Sequence, residues 1–275
     1  MAGYGLLGLA ALAVLPTTAA SGASSNPASV PSGTSLDANA EGWVETEGGR
    51  VRLVVAPPDA DGRARGAIEI DLDEGWKTYW IAPGPSGVPP RFEAARSENV
   101  ALEALRLPAP ETFEDAYGTS VGYADDTAFA VDLRLDDPNG PATLRLDGFL
   151  GICAEICIPV PLSLEARIGE ASDPATADAV ERAWLALPVE GNGQGLELSR
   201  VGAELVLRGE GLDGAEVHLA PPGTLSLDAP SMGPSEARFP VLRGEGAGEA
   251  VVLIVEGEAP FVRAVEHRVE LGDPD

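Results

Sequence analysis

From Val44 onward, apolar and polar residues alternate along the chain in short stretches. Val51-Arg52-Leu53-Val54-Val55, Ala67-Ile68-Glu69-Ile70-Asp71-Leu72 and Ala130-Val131-Asp132-Leu133-Arg134-Leu135 have the pattern of half-buried strands. Thr143–Leu146 and Leu162–Ile168 add two more. Turn signals stand between the runs at Pro57-Pro58, Asp61-Gly62, Asn139-Gly140 and Asp147-Gly148. Strands at this spacing without intervening helices predict a sandwich, not a parallel sheet. One helix is expected after them. Asp173 can cap it, Pro174 suits its first position, Ala177, Val180, Trp184 and Leu187 share a face, and Pro188 stops it. The run Gly191-Asn192-Gly193-Gln194-Gly195 reads as a flexible linker. Beyond it, Leu196–Leu198, Glu204–Arg208, Glu216–Leu219 and Val251–Val255 form a second, smaller set of strands. The predicted class is all-β, with two β domains joined by a short helix and a Gly-rich linker.

The N-terminus follows a different rule. Tyr4 to Leu15 is an apolar run, followed by Pro16 and the small residues Ala19, Ala20 and Ala23. This pattern reads as a secretory signal, too short for a membrane span of about 20 residues. The expected organisation is a signal peptide at 1–23, a flexible lead-in at 24–41, a first β domain at 42–170, a helix and linker at 171–195, and a second β domain at 196–272. The mature chain is expected to be exported and soluble, without stable membrane insertion, in a compartment where cysteines can be oxidised.

Composition narrows the function classes. The chain of 275 residues carries 18 Lys and Arg against 44 Asp and Glu, a net charge of −26. Phosphates would be repelled along most of that surface, which argues against nucleic acid or anionic lipid as partner. Two histidines and two cysteines exclude a multi-zinc protein or a disulfide-dense scaffold.

The cysteines carry the most information. Cys153 and Cys157 lie in Gly151-Ile152-Cys153-Ala154-Glu155-Ile156-Cys157-Ile158-Pro159. Three intervening residues allow a disulfide if the segment turns. So short a loop would stabilise the fold by only about 2 kcal/mol, which suits a bond that opens and closes better than a staple, although a staple remains open. No Lys, Arg or His occurs between Asp147 and Ala166, and Glu155 sits inside the loop. The local sequence therefore predicts a protected thiol titrating at or above about pH 8.

Other motifs fail on context. Gly118-Thr119-Ser120-Val121-Gly122 matches a nucleophile elbow, but a strand pattern follows where a helix is needed, and His218 and His267 are remote. Asp59-Ala60-Asp61-Gly62 begins like a calcium loop yet lacks the later ligands, so a hairpin turn is expected. Asp71, Asp73 and Glu74 read as a solvated strand end, and Trp76, Tyr79 and Trp80 as core aromatics.

Taken in order, Gly75–Trp80, Pro83–Pro90, the block from Tyr117 to Val131 and the cysteine loop resemble the N-terminal periplasmic domain of DsbD-type thiol–disulfide interchange proteins, most closely the ScsB-like branch. The likeness covers roughly Gly42 to Ile168, and the rest more loosely. It implies immunoglobulin-like sandwiches, no cofactor, and a redox pair, Cys153 and Cys157, of which Cys157 forms the mixed disulfide. It implies as partners a membrane-embedded thiol electron donor and periplasmic thioredoxin-fold proteins. It also implies a cap loop over the sulfurs, here Phe113, Glu114, Asp115, Tyr117 and Gly118, with Ala116 where the family carries a second aromatic. The spacing between the cysteines is shorter than in the best-known members, and this sequence carries no membrane channel or thioredoxin-like domain, so a donor would be a separate protein. Two other readings stand beside it: a Cu(I)-binding or copper-tolerance module using both sulfurs, and a non-catalytic partner-binding sandwich with a structural bridge.

Overall fold

A computed structural model of the protein describes Met1 and residues 42–115, 118–154, 157–169, 173–257 and 262–272. The expected signal peptide and lead-in therefore lie outside the described residues. Among its described residues, the chain ahead of the helix has only strands as regular elements. In order it forms β1 (Val44–Thr46), β2 (Gly49–Val55), β3 (Arg63–Leu72), β4 (Lys77–Tyr79), β5 (Arg91–Glu93), β6 (Val100–Arg106), β7 (Glu111–Asp115), β8 (Gly118–Tyr123), β9 (Thr127–Leu135), β10 (Ala142–Cys153) and β11 (Cys157–Ile168). Helix α1 (Pro174–Leu185) follows. The second half forms β12 (Val189–Glu190), β13 (Glu197–Val201), β14 (Glu204–Arg208), β15 (Glu216–Ala220), β16 (Ser226–Leu227), β17 (Ser231–Met232), β18 (Glu236–Arg243), β19 (Gly248–Glu256) and β20 (Arg263–Leu271).

Among the described residues these strands make three sheets. The first has the order β1-β2-β3-β9-β6, and the second β11-β10-β4-β8-β7 with β5 on the flank of β10. Their inner faces interdigitate. Val51, Leu53, Ile68, Ile70, Phe129, Val131 and Leu133 come from one sheet, and Leu144, Leu146, Leu150, Ile152, Val160, Leu162 and Leu164 from the other. Burial alternates strictly along β11 from Pro159 to Glu165, as one buried face requires. The outer face of the first sheet is covered too: Ala179, Val180 and Ala183 of α1 pack on Val54, Ala67 and Ala130. The third sheet has the order β15-β19-β20-β13-β14-β18-β16, with β12 beside β20 and β17 beside β18. It folds over its own core of Leu205, Leu207, Leu219, Phe239, Val252 and Ile254. Leu253, from the same β19, instead joins the core of the first sandwich. The architecture is all-β and immunoglobulin-like, and the described residues from Gly42 onward form one compact unit.

The strands read from alternation are all present, and three expectations change. Asp147-Gly148 is not a turn but lies inside β10. Gly148 is there because β5 runs against it: a side chain at this position would strike the Arg91 backbone. Ala177 is exposed, because the buried stripe of α1 runs through Ala179, Val180 and Ala183. The Asp173 cap does form, its carboxylate accepting from the Thr176 amide at 2.9 Å. The Gly191–Gly195 run is tied down rather than free. The Gly191 amide donates to the Glu266 carbonyl at 2.7 Å, and the Gly193 amide to Nδ1 of His267 at 3.1 Å.

Three polar side chains are buried among the described residues: Thr78, Ser120 and His218. Nε2 of His218 has no hydrogen-bond partner, and the nearest carboxylate oxygen, Glu216 Oε1, is 3.4 Å away. Burial holds this imidazole below its ordinary range, against the smaller opposing pull of Glu216. The unfolded chain therefore takes up this proton at higher pH than the folded one, and stability from this site falls as pH drops through the ordinary histidine range. In urea unfolding between pH 7.5 and 5.5, the stability advantage of the wild type over His218→Gln is expected to shrink with acidification. A constant difference would show that this histidine is not linked to folding.

Candidate functional site

Among the described residues the β10–β11 hairpin is the longest strand pair, with twelve residues in each strand. Its register runs from Ala142 opposite Ile168 to Cys153 opposite Cys157. The two cysteines thus face each other across the last rung, their Cα atoms 4.2 Å apart, and are joined as a disulfide. The hairpin places them unequally. Cys153 lies between two neighbours, β11 on one side and Lys77 of β4 on the other, and is only 1% exposed. Cys157 belongs to β11, the terminal strand of its sheet, and is half-buried.

Tyr79 sits two residues along β4 from Lys77 and is 1% exposed. Its hydroxyl donates to Cys153 Sγ at 2.9 Å, and the same oxygen lies 2.9 Å from Cys157 Sγ. Behind it, Oγ1 of Thr78 donates to the Gly151 carbonyl at 2.9 Å and locks β4 against β10. The Pro83–Pro90 segment passes over the Tyr79 ring, tied to β8 by the Val121 amide on the Pro83 carbonyl at 3.1 Å. Two glycines permit this close approach. A Cβ on Gly87 would come within 2.9 Å of Tyr79 Cδ1, and one on Gly151 within 2.7 Å of the Val88 carbonyl. The Ser86 carbonyl oxygen then stands 3.8 Å from Cys157 Sγ.

The expected cap residues fall on the β7–β8 hairpin, whose register closes with Asp115 opposite Gly118. Phe113 is half-buried, with the Lys77 ammonium 5.5 Å from its ring centroid. Glu114 is exposed, and Gly118 starts β8 at a φ of 117° that favours glycine. Tyr117 and Ala116 lie outside the described residues, as does the Asp115 side chain.

The sheet supplies what the local sequence around the cysteines lacks. Lys77 arrives opposite Cys153 through strand pairing, and the Tyr79 hydroxyl arrives from the same strand. A hydroxyl donor at the sulfur favours a thiolate over a thiol. The signal available in the sequence was a tyrosine at a core position, since a buried phenol needs a partner for its hydroxyl. Other motifs resolve as structure. Gly118–Gly122 lies within β8, and the Ser120 hydroxyl is buried without a hydrogen-bond partner. Asp59 accepts from the Asp61 and Arg63 amides in a hairpin turn, and Asp71 pairs with Arg50 at 2.7 Å. Trp80 is buried in the core and Trp76 packs against it. Among the described residues, no group of three or more His, Cys, Asp or Glu is placed to hold a metal ion.

A hydrogen bond to a charged acceptor is worth about 1.5–3 kcal/mol. At about 1.4 kcal/mol per pH unit, Tyr79→Phe should raise the titration of the reduced cysteine it serves by about one to two units. Iodoacetamide alkylation of the reduced protein against pH measures this, and an unchanged midpoint would remove Tyr79 from the chemistry.

Residues 50–166 match the family described as Thiol:disulfide interchange protein DsbD, N-terminal. The matched segment runs from Arg50 in β2 to Ala166 in β11 and includes both cysteines. The chain is also similar in structure to the N-terminal periplasmic domain of ScsB from Proteus mirabilis, with a TM-score of 0.64 and 20% identity over 84% of this chain and 98% of that one. That likeness extends past the cysteine-bearing sandwich and establishes the shared fold. The periplasmic chaperone SfaE aligns over 80% of this chain and 100% of its own at 11% identity, with a TM-score of 0.22 too low to carry an argument. Among curated proteins there is no match.

Proposed function

We propose that the protein is a periplasmic thiol–disulfide exchange module in which Cys153 and Cys157 relay reducing equivalents from a membrane-embedded thiol donor to thioredoxin-fold proteins. The observation that carries this reading is the tyrosine-bonded disulfide at the turn end of a long hairpin, within a segment that matches the DsbD N-terminal family. The N-terminal apolar run and the periplasmic domain of the similar structure support the compartment. Among the described residues no helix is long and apolar enough to cross a membrane.

The unequal burial of the sulfurs supports a division of roles. A donor thiolate attacks the more accessible Cys157 Sγ, the Cys153–Cys157 bond breaks, and Cys153 leaves as a thiolate. The Tyr79 hydroxyl, 2.9 Å from Cys153 Sγ, stabilises that leaving group. The donor's second thiol then attacks its own sulfur in the mixed disulfide and releases the Cys157 thiolate. Once each thiolate has taken up one of the two protons given up by the donor thiols, two electrons and two protons have entered the protein, and the donor has become a disulfide. Passing them on reverses the sequence: Cys157 attacks the substrate disulfide, and Cys153 resolves the intermediate.

Cys153→Ala leaves the half-buried Cys157 thiol and is expected to trap thioredoxin-fold proteins as mixed disulfides in the exported compartment. Cys157→Ala leaves a buried thiol and should react with Ellman's reagent more slowly, by about tenfold or more, as access limits exchange. Equilibration with glutathione completes the test. A potential below about −300 mV, together with no adducts from either variant, would make the bridge a structural staple.

A further inference from the structure

Strand β15 ends the third sheet and pairs on one side alone, with β19. A strand in that position turns every second N–H and C=O outward, away from its neighbour. Among the described residues no backbone–backbone hydrogen bond is made on that outer side. The usual protections of a sheet edge are missing from it. Its register with β19 is regular, without a bulge, and it holds no proline. Its one acid, Glu216, is engaged elsewhere, since its Oε1 accepts from the Thr112 hydroxyl at 2.6 Å.

A cavity of about 710 Å³ runs along this edge, within the range of about 300–1,000 Å³ typical of ligand sites. All seven successive residues from 215 to 221 line it. A space lying over one face of a strand would meet only every second residue, so the cavity follows the border of β15 itself. Further walls come from residues 80–85, which follow β4, and from residues 223–230. Ile81 and Met232, 38% and 44% exposed, are among the large apolar side chains left open to solvent, and both line the cavity. In the middle of the strand the buried His218 lines the same space, and its Nε2 has no hydrogen-bond partner.

We propose that the border of β15 is a docking site for an extended peptide segment of another protein, which adds to the third sheet as a strand. The occupant is a backbone because the unmet groups are backbone N–H and C=O in strand spacing, and five residues present about 17 Å of them. It carries apolar side chains at alternate positions, which cover Ile81 and Met232. It needs no net charge, since Arg91 and Arg243 line the cavity together with Glu114 and Asp228. An edge that lies in a walled cavity suits one extended segment better than the border of a second folded sheet. Neither cysteine lines the cavity, nor does Tyr79 or Ser86, so the proposal stands apart from the exchange reading.

The test is amide hydrogen exchange of the full chain, read by NMR, with two capped pentapeptides, acetyl-Val-Thr-Val-Thr-Val-amide and acetyl-Leu-Ser-Leu-Ser-Leu-amide, each at about 1 mM. At least one should slow exchange of alternate β15 amides by about tenfold or more, the scale of one added hydrogen bond, and shift the His218 ring signals. The same peptides methylated at every amide nitrogen cannot complete a ladder and should leave exchange unchanged. Ala229→Trp places a bulky ring on an exposed wall of the cavity and should abolish the protection without lowering thermal stability. No protection from either peptide would overturn the proposal, as would equal protection from the methylated forms or protection that persists in Ala229→Trp. Slowed exchange that grows with protein concentration in the absence of peptide would make the occupant a second copy of the chain and would overturn it as well.

Discussion

The β10–β11 ladder determines where two sulfur atoms sit, and much else in the first sandwich is arranged around keeping its register. A slip of one residue would turn Leu144, Leu146, Leu150 and Ile152 out of the core and carry Cys153 to the opposite face. The burial of those side chains therefore fixes the cysteine pairing as firmly as the bond itself does. The same hydrophobic pattern that closes the sandwich delivers both thiols to one rung, whether or not they are oxidised. Preorganisation of this kind lets the bond open without the hairpin losing its place.

Around that rung the protein assembles groups from distant parts of the chain. Tyr79 comes from a three-residue strand, and Ser86 from a proline- and glycine-rich segment. The sulfur environment is polar at the Tyr79 hydroxyl and close-packed elsewhere, with glycines at positions 87 and 151 where backbone and ring approach most closely. Such a site limits solvent and small thiols by shape. The overall charge of −26 adds a long-range preference for partners whose docking faces are basic.

Much of this was legible in the sequence, for identifiable reasons. The long alternating strands announced themselves, because one face of each is buried on the core and the other faces solvent. The Asp173 cap, the Asp59 turn and the pairing-competent cysteines are local features, and local sequence is enough to read them. What escaped was non-local. Asp147-Gly148 looked like a turn because its glycine answers to Arg91, more than fifty positions earlier in the chain. Lys77 and Tyr79 gained their place beside the sulfurs from strand pairing, and no window around Cys153 contains them. The short strands β4, β5, β7 and β8 carry too few residues to show a period, yet they build the site. The bond between Thr112 and Glu216 spans 104 positions and lay beyond any pattern of spacing.

Strand β11 ends its sheet, and it carries Pro159 and Pro161 just beyond Cys157. A proline survives in a ladder only where its missing N–H would have pointed away from the neighbouring strand. Two successive outward donors are thus erased beside the more accessible sulfur. Neither another molecule of this protein nor an extended peptide can zip onto the border there as an extra strand. A visitor must come to the hairpin's end, making a brief contact centred on sulfur that separates as easily as it forms.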